Sequence, residues 1–151
     1  MNTTSLIEWV QTNNIIERTE KGFKNYLENW KKDDRSDFFG TFNGKSNLKL
    51  LKTELRSIQL TYVSGYSDFV YCNLRILFLG NDIGDYRMVF SLDGESDDDL
   101  IHFDKHMERT INEGTVKVEV IKRAIKEGCT IEEISKLVDL DKDMIRPLFV
   151  S

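Results

Sequence analysis

The sequence predicts an α+β protein: N-terminal helices packed on a central antiparallel β-meander, followed by a C-terminal helical, helix-turn-helix-like unit. Three observations carry that prediction. Apolar residues recur at helical spacing before residue 35, they alternate with period two between residues 57 and 92, and they return to helical spacing beyond residue 104. The 151 residues divide accordingly into an α+β domain, 1–104, and a C-terminal helical unit, 105–151, packed on it. An apolar fraction of 40% is that of a chain able to bury a core without a disulfide or a metal.

The first helix is expected to open on a capping box of Ser5 and Glu8 ahead of Leu6, Trp9 and Val10. Asn13-Asn14 breaks it, and a second stripe follows through Ile15, Thr19, Phe23, Tyr26 and Trp30 until Lys31-Lys32-Asp33-Asp34 ends it in solvent. Residues 36–46 are turn-rich, with a short strand expected around Phe38–Phe42. Leu48, Leu51 and Leu55 keep helical spacing, whereas Ile58, Leu60 and Tyr62 alternate, which places the change near Arg56.

Strands are expected at 57–64, 68–79 and 85–92, with a short fourth at Leu100–Phe103. In the second, Val70, Cys72, Leu74, Ile76 and Phe78 share one face; Phe69, Tyr71, Asn73, Arg75 and Leu77 share the other. Gly80-Asn81-Asp82 and Asp93-Gly94 read as turns. A sheet with one wet face needs cover on the other, and the N-terminal helices supply it. Further on, Met107 and Ile111 begin a helix that Gly114 is expected to interrupt. Val116, Val120, Ile121, Ala124 and Ile125 continue the apolar pattern up to Gly128. Thr130 with Glu133 forms another capping box, Ile131, Ile134, Leu137 and Val138 give that helix its buried side, and Asp141 caps a last short helix reaching Phe149.

The run EGCTIEEISKLVDLDKDMIRPLF resembles the helix-turn-helix units of bacterial regulators over Thr130–Phe149. That resemblance implies DNA contact from a basic face of Lys117, Lys122, Arg123, Lys126, Lys142 and Arg146. Against it, Asp139 stands where the turn has glycine. The second helix carries Asp141 and Asp143 and meets Pro147 within two turns, so it has few donors for base edges.

The formal charge of −5 is concentrated. Residues 1–45 hold seven basic and seven acidic side chains and residues 105–151 nine of each, while residues 46–104 hold five and ten. An acidic middle repels phosphate backbones and favours a protein partner with a basic surface. The sequence reading is therefore a small non-enzymatic binding protein, of the kind represented by immunity proteins and phage-borne inhibitors. It engages that partner through Asp93, Glu95, Asp97, Asp98 and Asp99, with Asp82 and Asp85 on a neighbouring loop. Richness in Asn, Lys, Ile and Asp points to an AT-rich bacterial or phage genome.

Catalytic and metal readings find thinner support, and no cofactor or metal is expected. Asp93, Glu95, Asp97 and Asp99 alternate like calcium ligands, but Gly94 and Asp104 sit at the wrong places for an EF-hand loop. His102 and His106 would share a face only on a helix; with the acidic run they define a metal-dependent enzyme as an alternative. Cys72 and Cys129 are in no CxxC pair and read as reduced thiols. With no signal-peptide pattern at MNTTSLIEW and no apolar run long enough to span a bilayer, a cytoplasmic location off the membrane is expected.

Overall fold

A computed structural model describes residues 1–149, so the last two residues of the 105–151 stretch lie outside the described chain. The fold is α+β. Helices α1 (Thr3–Thr12), α2 (Ile15–Asp33), α3 (Arg35–Phe42) and α4 (Lys45–Leu48) lead into strands β1 (Leu51–Thr61), β2 (Phe69–Phe78), β3 (Asn81–Ser91) and β4 (Ser96–Phe103). Helices α5 (Met107–Lys126), α6 (Ile131–Val138) and α7 (Lys142–Ile145) and a 3₁₀ turn (Arg146–Phe149) follow. The sheet is an antiparallel meander in the order β1-β2-β3-β4. Among the described residues no helix is long and apolar enough to cross a membrane.

The chain gathers into two compact units, each drawn from separated stretches. The first comprises Met1–Trp30, Thr53–Ile76 and Gly84–Phe103; the second comprises Lys31–Lys52, Leu77–Ile83 and the chain from Asp104 on.

In the first unit, period-two alternation decides the core. Val70, Cys72, Leu74 and Ile76 are fully buried, as expected of one face of β2. Phe23 of α2 meets the Tyr86 ring edge-on at 5.5 Å, and Tyr26 does so at 6.0 Å. Gly22 permits that approach, since a Cβ there would lie 2.7 Å from the Tyr86 hydroxyl. The N-terminal cap differs from expectation. Asn2, not Ser5, caps α1, its side chain accepting from the Ser5 N–H at 2.8 Å, so the helix starts one turn earlier than the Ser5–Glu8 box implies. Asn13 and Asn14, the latter with φ 52°, divide α1 from α2 as expected.

The second unit corrects several sequence readings. Phe38–Phe42 is helical, not a strand. Asp34 caps α3 by accepting from the Asp37 N–H at 3.0 Å, and Asn43 ends it in the left-handed conformation at φ 56°. A capping aspartate and a terminating Asn-Gly bracket a helix where their density suggested turns. Leu48 closes α4 and Leu51 opens β1, so the helical spacing of Leu48, Leu51 and Leu55 spans a junction and the strand starts five residues before Arg56. The β2–β3 turn is Leu79-Gly80, both with positive φ, so β3 begins at Asn81. Leu79 is 6% exposed, and its burial offsets the strain of a left-handed leucine.

Gly114 does not interrupt α5. The helix runs unbroken from Met107 to Lys126, and a Cβ at 114 would lie 2.2 Å from Phe78 Cε1. Glycine costs a helix about 1 kcal/mol against alanine, and here it admits the buried Phe78 ring against the helix backbone. The α5 C-terminus closes on Gly128 (φ 88°), with N–H groups of Gly128 and Cys129 bonded to Ile125 and Ala124 carbonyls, both at 3.0 Å. The Thr130–Glu133 capping box starts α6 in full, and left-handed Asp139 ends it. Ile121, Ala124, Ile134 and Ile145 make the small core shared by α5, α6 and α7.

Candidate functional site

The face of the sheet opposite Val70, Cys72, Leu74 and Ile76 carries the densest polar network of the first unit. Asn73, 6% exposed, is its hub. Its amide nitrogen donates to Ser57 Oγ at 2.9 Å and Gln59 Oε1 at 3.3 Å, and its carbonyl oxygen accepts from Arg87 Nε at 2.7 Å. Both ends of a buried amide are thus satisfied, as burial requires. The Arg87 guanidinium lies over the Tyr71 ring at 4.6 Å and, among the described residues, pairs with no carboxylate. Beside it Arg56 pairs with Asp85, and Arg75 pairs with Glu54 at 3.0 Å. A cleft of about 350 Å³ opens between Arg56, Asn73, Asp85 and Arg87, with exposed Leu100 and His102 on its β4 side.

The β3–β4 hairpin is the second component, and α1 and α2 fix it. Trp9 Nε1 donates to the Leu92 carbonyl at 3.0 Å, and Arg18 Nη1 donates to the Gly94 carbonyl at 2.8 Å while its guanidinium covers the Phe90 ring at 4.9 Å. Gly94, with φ 91°, lies so close to α1 that a Cβ would fall 2.5 Å from Asn13 Oδ1. In the turn, Asp93 accepts from the Ser91 hydroxyl and from the Glu95 N–H, and these bonds hold its carboxyl below the usual carboxylate range.

The acidic run is not one solvated loop. Only Asp93, Gly94 and Glu95 lie outside the strands, because β4 starts at Ser96 instead of Leu100. Asp98 stands opposite Val89 and Ser96 opposite Phe90, so Asp97 is the extra residue of a β-bulge. Asp99, opposite Met88, turns to the covered side and accepts from the buried Tyr86 hydroxyl at 2.7 Å. Burial, then that bond to Asp99, push the Tyr86 phenol far above its ordinary pKa, so it stays protonated and donates to Asp99. Asp85 faces outward opposite His102, and Asp82 belongs to the second unit, exposed at the start of β3. Among the described residues, none of Asp93, Glu95, Asp97, Asp98 or Asp99 has an ion-pair partner.

The six cations named for DNA are arranged differently from a groove-reading face. At about 100° per residue, α5 sets Lys117 opposite Lys126 and places Glu119 between Lys122 and Arg123. Lys122, Lys142 and Arg146 pair with Glu119, Glu132 and Asp143 at 3.8, 3.6 and 3.4 Å. The helix following the Asp139 turn, α7, has four residues. His102 is on β4 and His106 precedes α5, so the shared helical face does not form. Among the described residues no group of three or more His, Cys, Asp or Glu side chains is placed to hold a metal ion. Cys72 is fully buried and burial raises its thiol pKa, while Cys129 is half-buried.

Comparison with family models, curated proteins and solved structures finds no match to this chain. The residues that sequence reasoning passed over are Trp9, Arg18, Asn73, Tyr86 and Arg87. Each acts through a partner far away in sequence, so spacing gives no sign of it.

Proposed function

We propose that this protein works without catalysis, by binding another protein through the outer face of its sheet and the β3–β4 hairpin. The observation that carries the reading is the hairpin: Asp93, Glu95, Asp97 and Asp98 lie exposed within six residues, none in an ion pair among the described residues, on a hairpin clamped by Trp9 and Arg18. Uncompensated like charge is unfavourable for the free chain and becomes favourable when a basic surface meets it. The adjoining Arg87–Tyr71 pair supplies the residue types that dominate protein interfaces, already held by Asn73, so little order is lost on docking. A partner with a basic rim around an acceptor-bearing centre fits both components. A blocker of a basic toxin or nuclease meets that description.

The test is capture from nuclease-treated bacterial lysate at moderate salt, with bound chains identified by mass spectrometry. One stoichiometric basic partner is expected, released by added salt and lost from E95Q/D97N/D98N. Retention by that triple variant would sink the proposal. Recovery of nucleic acid from a parallel capture without nuclease, abolished by K142Q/R146Q, would sink it too, in favour of DNA binding through the C-terminal helices.

A further inference from the structure

Helix α5 presents two faces. One is buried through Met107, Ile111, Gly114, Val118 and Ile121. Opposite it runs Arg109, Glu113, Val116, Val120, Arg123 and Glu127, with alternating spacings of four and three residues. At 100° per residue these six fall within an arc of about 80°. All are exposed, Val116 at 66% and Val120 at 42%. The spacing is that of a two-stranded helical seam, on a face left open among the described residues of the second unit.

The order of residues along this stripe is self-complementary. Turned end for end about the level of Val118, the stripe sets Arg109 against Glu127, Glu113 against Arg123 and Val116 against Val120. Every charged pair is then of opposite sign, and the valines meet at the centre. In the parallel arrangement each charge would face its own copy. We propose that a second copy of this chain docks on this face, with the two α5 helices antiparallel about a twofold axis near Val118. Such an interface is isologous, so one stripe serves both subunits. Arg109 and Glu113 pair within the chain at 3.6 Å, but both are about three-quarters exposed, so water screens that pair and it is readily exchanged for the intersubunit ones. One helix of 20 residues offers a small interface, which makes the dimer a weak one, with a dissociation constant on the order of micromolar or above.

Sedimentation velocity on the full chain, from micromolar to about 1 mM, tests this. Wild type is expected to shift from monomer to dimer with concentration, and the shift should weaken with salt. R109E/R123E, which makes the stripe wholly acidic, and E113R/E127R, which makes it wholly basic, should each raise the dissociation constant at least about tenfold. Mixed together, these two variants should recover a dimer at least as stable as wild type. All four sites are exposed, and circular dichroism verifies folding. A wild type that stays monomeric throughout overturns the proposal. So does a dimer that both variants retain, or a mixture that fails to associate.

Discussion

In the first compact unit, the contacts that fix position are polar and long-range: Trp9 to Leu92, Arg18 to Gly94, Tyr86 to Asp99, Asn73 to three neighbours at once. In the second they are mainly apolar. Phe78 fills the notch that Gly114 leaves in α5, and Ile121, Ala124, Ile134 and Ile145 close the C-terminal helices on one another. Its polar groups finish helix ends, as at Asp34, Thr130 and Glu133, and tie the α3–α4 stretch to α5, where Asn43 donates to Asn112 at 2.7 Å and buried Asn47 donates to Thr115 at 2.9 Å. Apolar contact is tolerant of direction, whereas a hydrogen bond fixes angle as well as distance. The strands and turn that present the acidic hairpin are therefore fixed in direction as well as distance, by Trp9, Arg18 and Tyr86.

That contrast can be broken by substitution. The largest effect is expected from Phe78→Ala, which empties the notch beside Gly114 and should cost about 3–5 kcal/mol in denaturant unfolding. Amide exchange should quicken along α5 in particular. Tyr86→Phe keeps the buried ring and removes only its bond to Asp99, and should cost about 1–2 kcal/mol. Its exchange signature belongs in β3 and β4. If it costs nothing, polar contacts do not hold the first unit and the contrast is false.

The smallest effect is expected at the helix ends. Thr130→Ala removes a capping bond worth roughly 1 kcal/mol. The same box carries a pH signature. Bonds from the Thr130 N–H and side chain hold the Glu133 carboxyl below the ordinary carboxylate range. Its contribution is therefore complete above the unfolded-state pKa and fades as pH falls through the lower folded one. Amide protection at the start of α6 should decline over that acid window in wild type, and Glu133→Gln should flatten the decline. An equal decline in the variant would assign it to other groups.

Where packing alone decides structure, the sequence was legible. The buried face of β2, the Asn13-Asn14 break, the Gly128 terminus and the Thr130 box all follow from local pattern. Boundaries set by tertiary contact were not. Nothing near Gly114 in sequence announces Phe78, and the Leu79-Gly80 turn depends on where Leu79 is buried. For the candidate site, alternation assigned Asn73 to the wet face but could not show that Ser57, Gln59 and Arg87 bury it there. The acidic run was visible as charge, yet its division was missed. Asp99 alternates with Ile101 and Phe103, a period-two signal that the density of aspartates obscured.

The position of β4 has one further consequence. It is the last strand of the sheet, and its outer edge pairs with no other described strand. A terminal strand offers a row of unfilled backbone groups on which a foreign strand can grow. Here that edge begins with Ser96, followed by Asp97 on a bulge and Asp98 beside it, and Asp99 points inward. An incoming strand would meet a kinked backbone and a line of negative charge. The bulge and the two carboxylates beside it make strand addition at this end of the edge unfavourable.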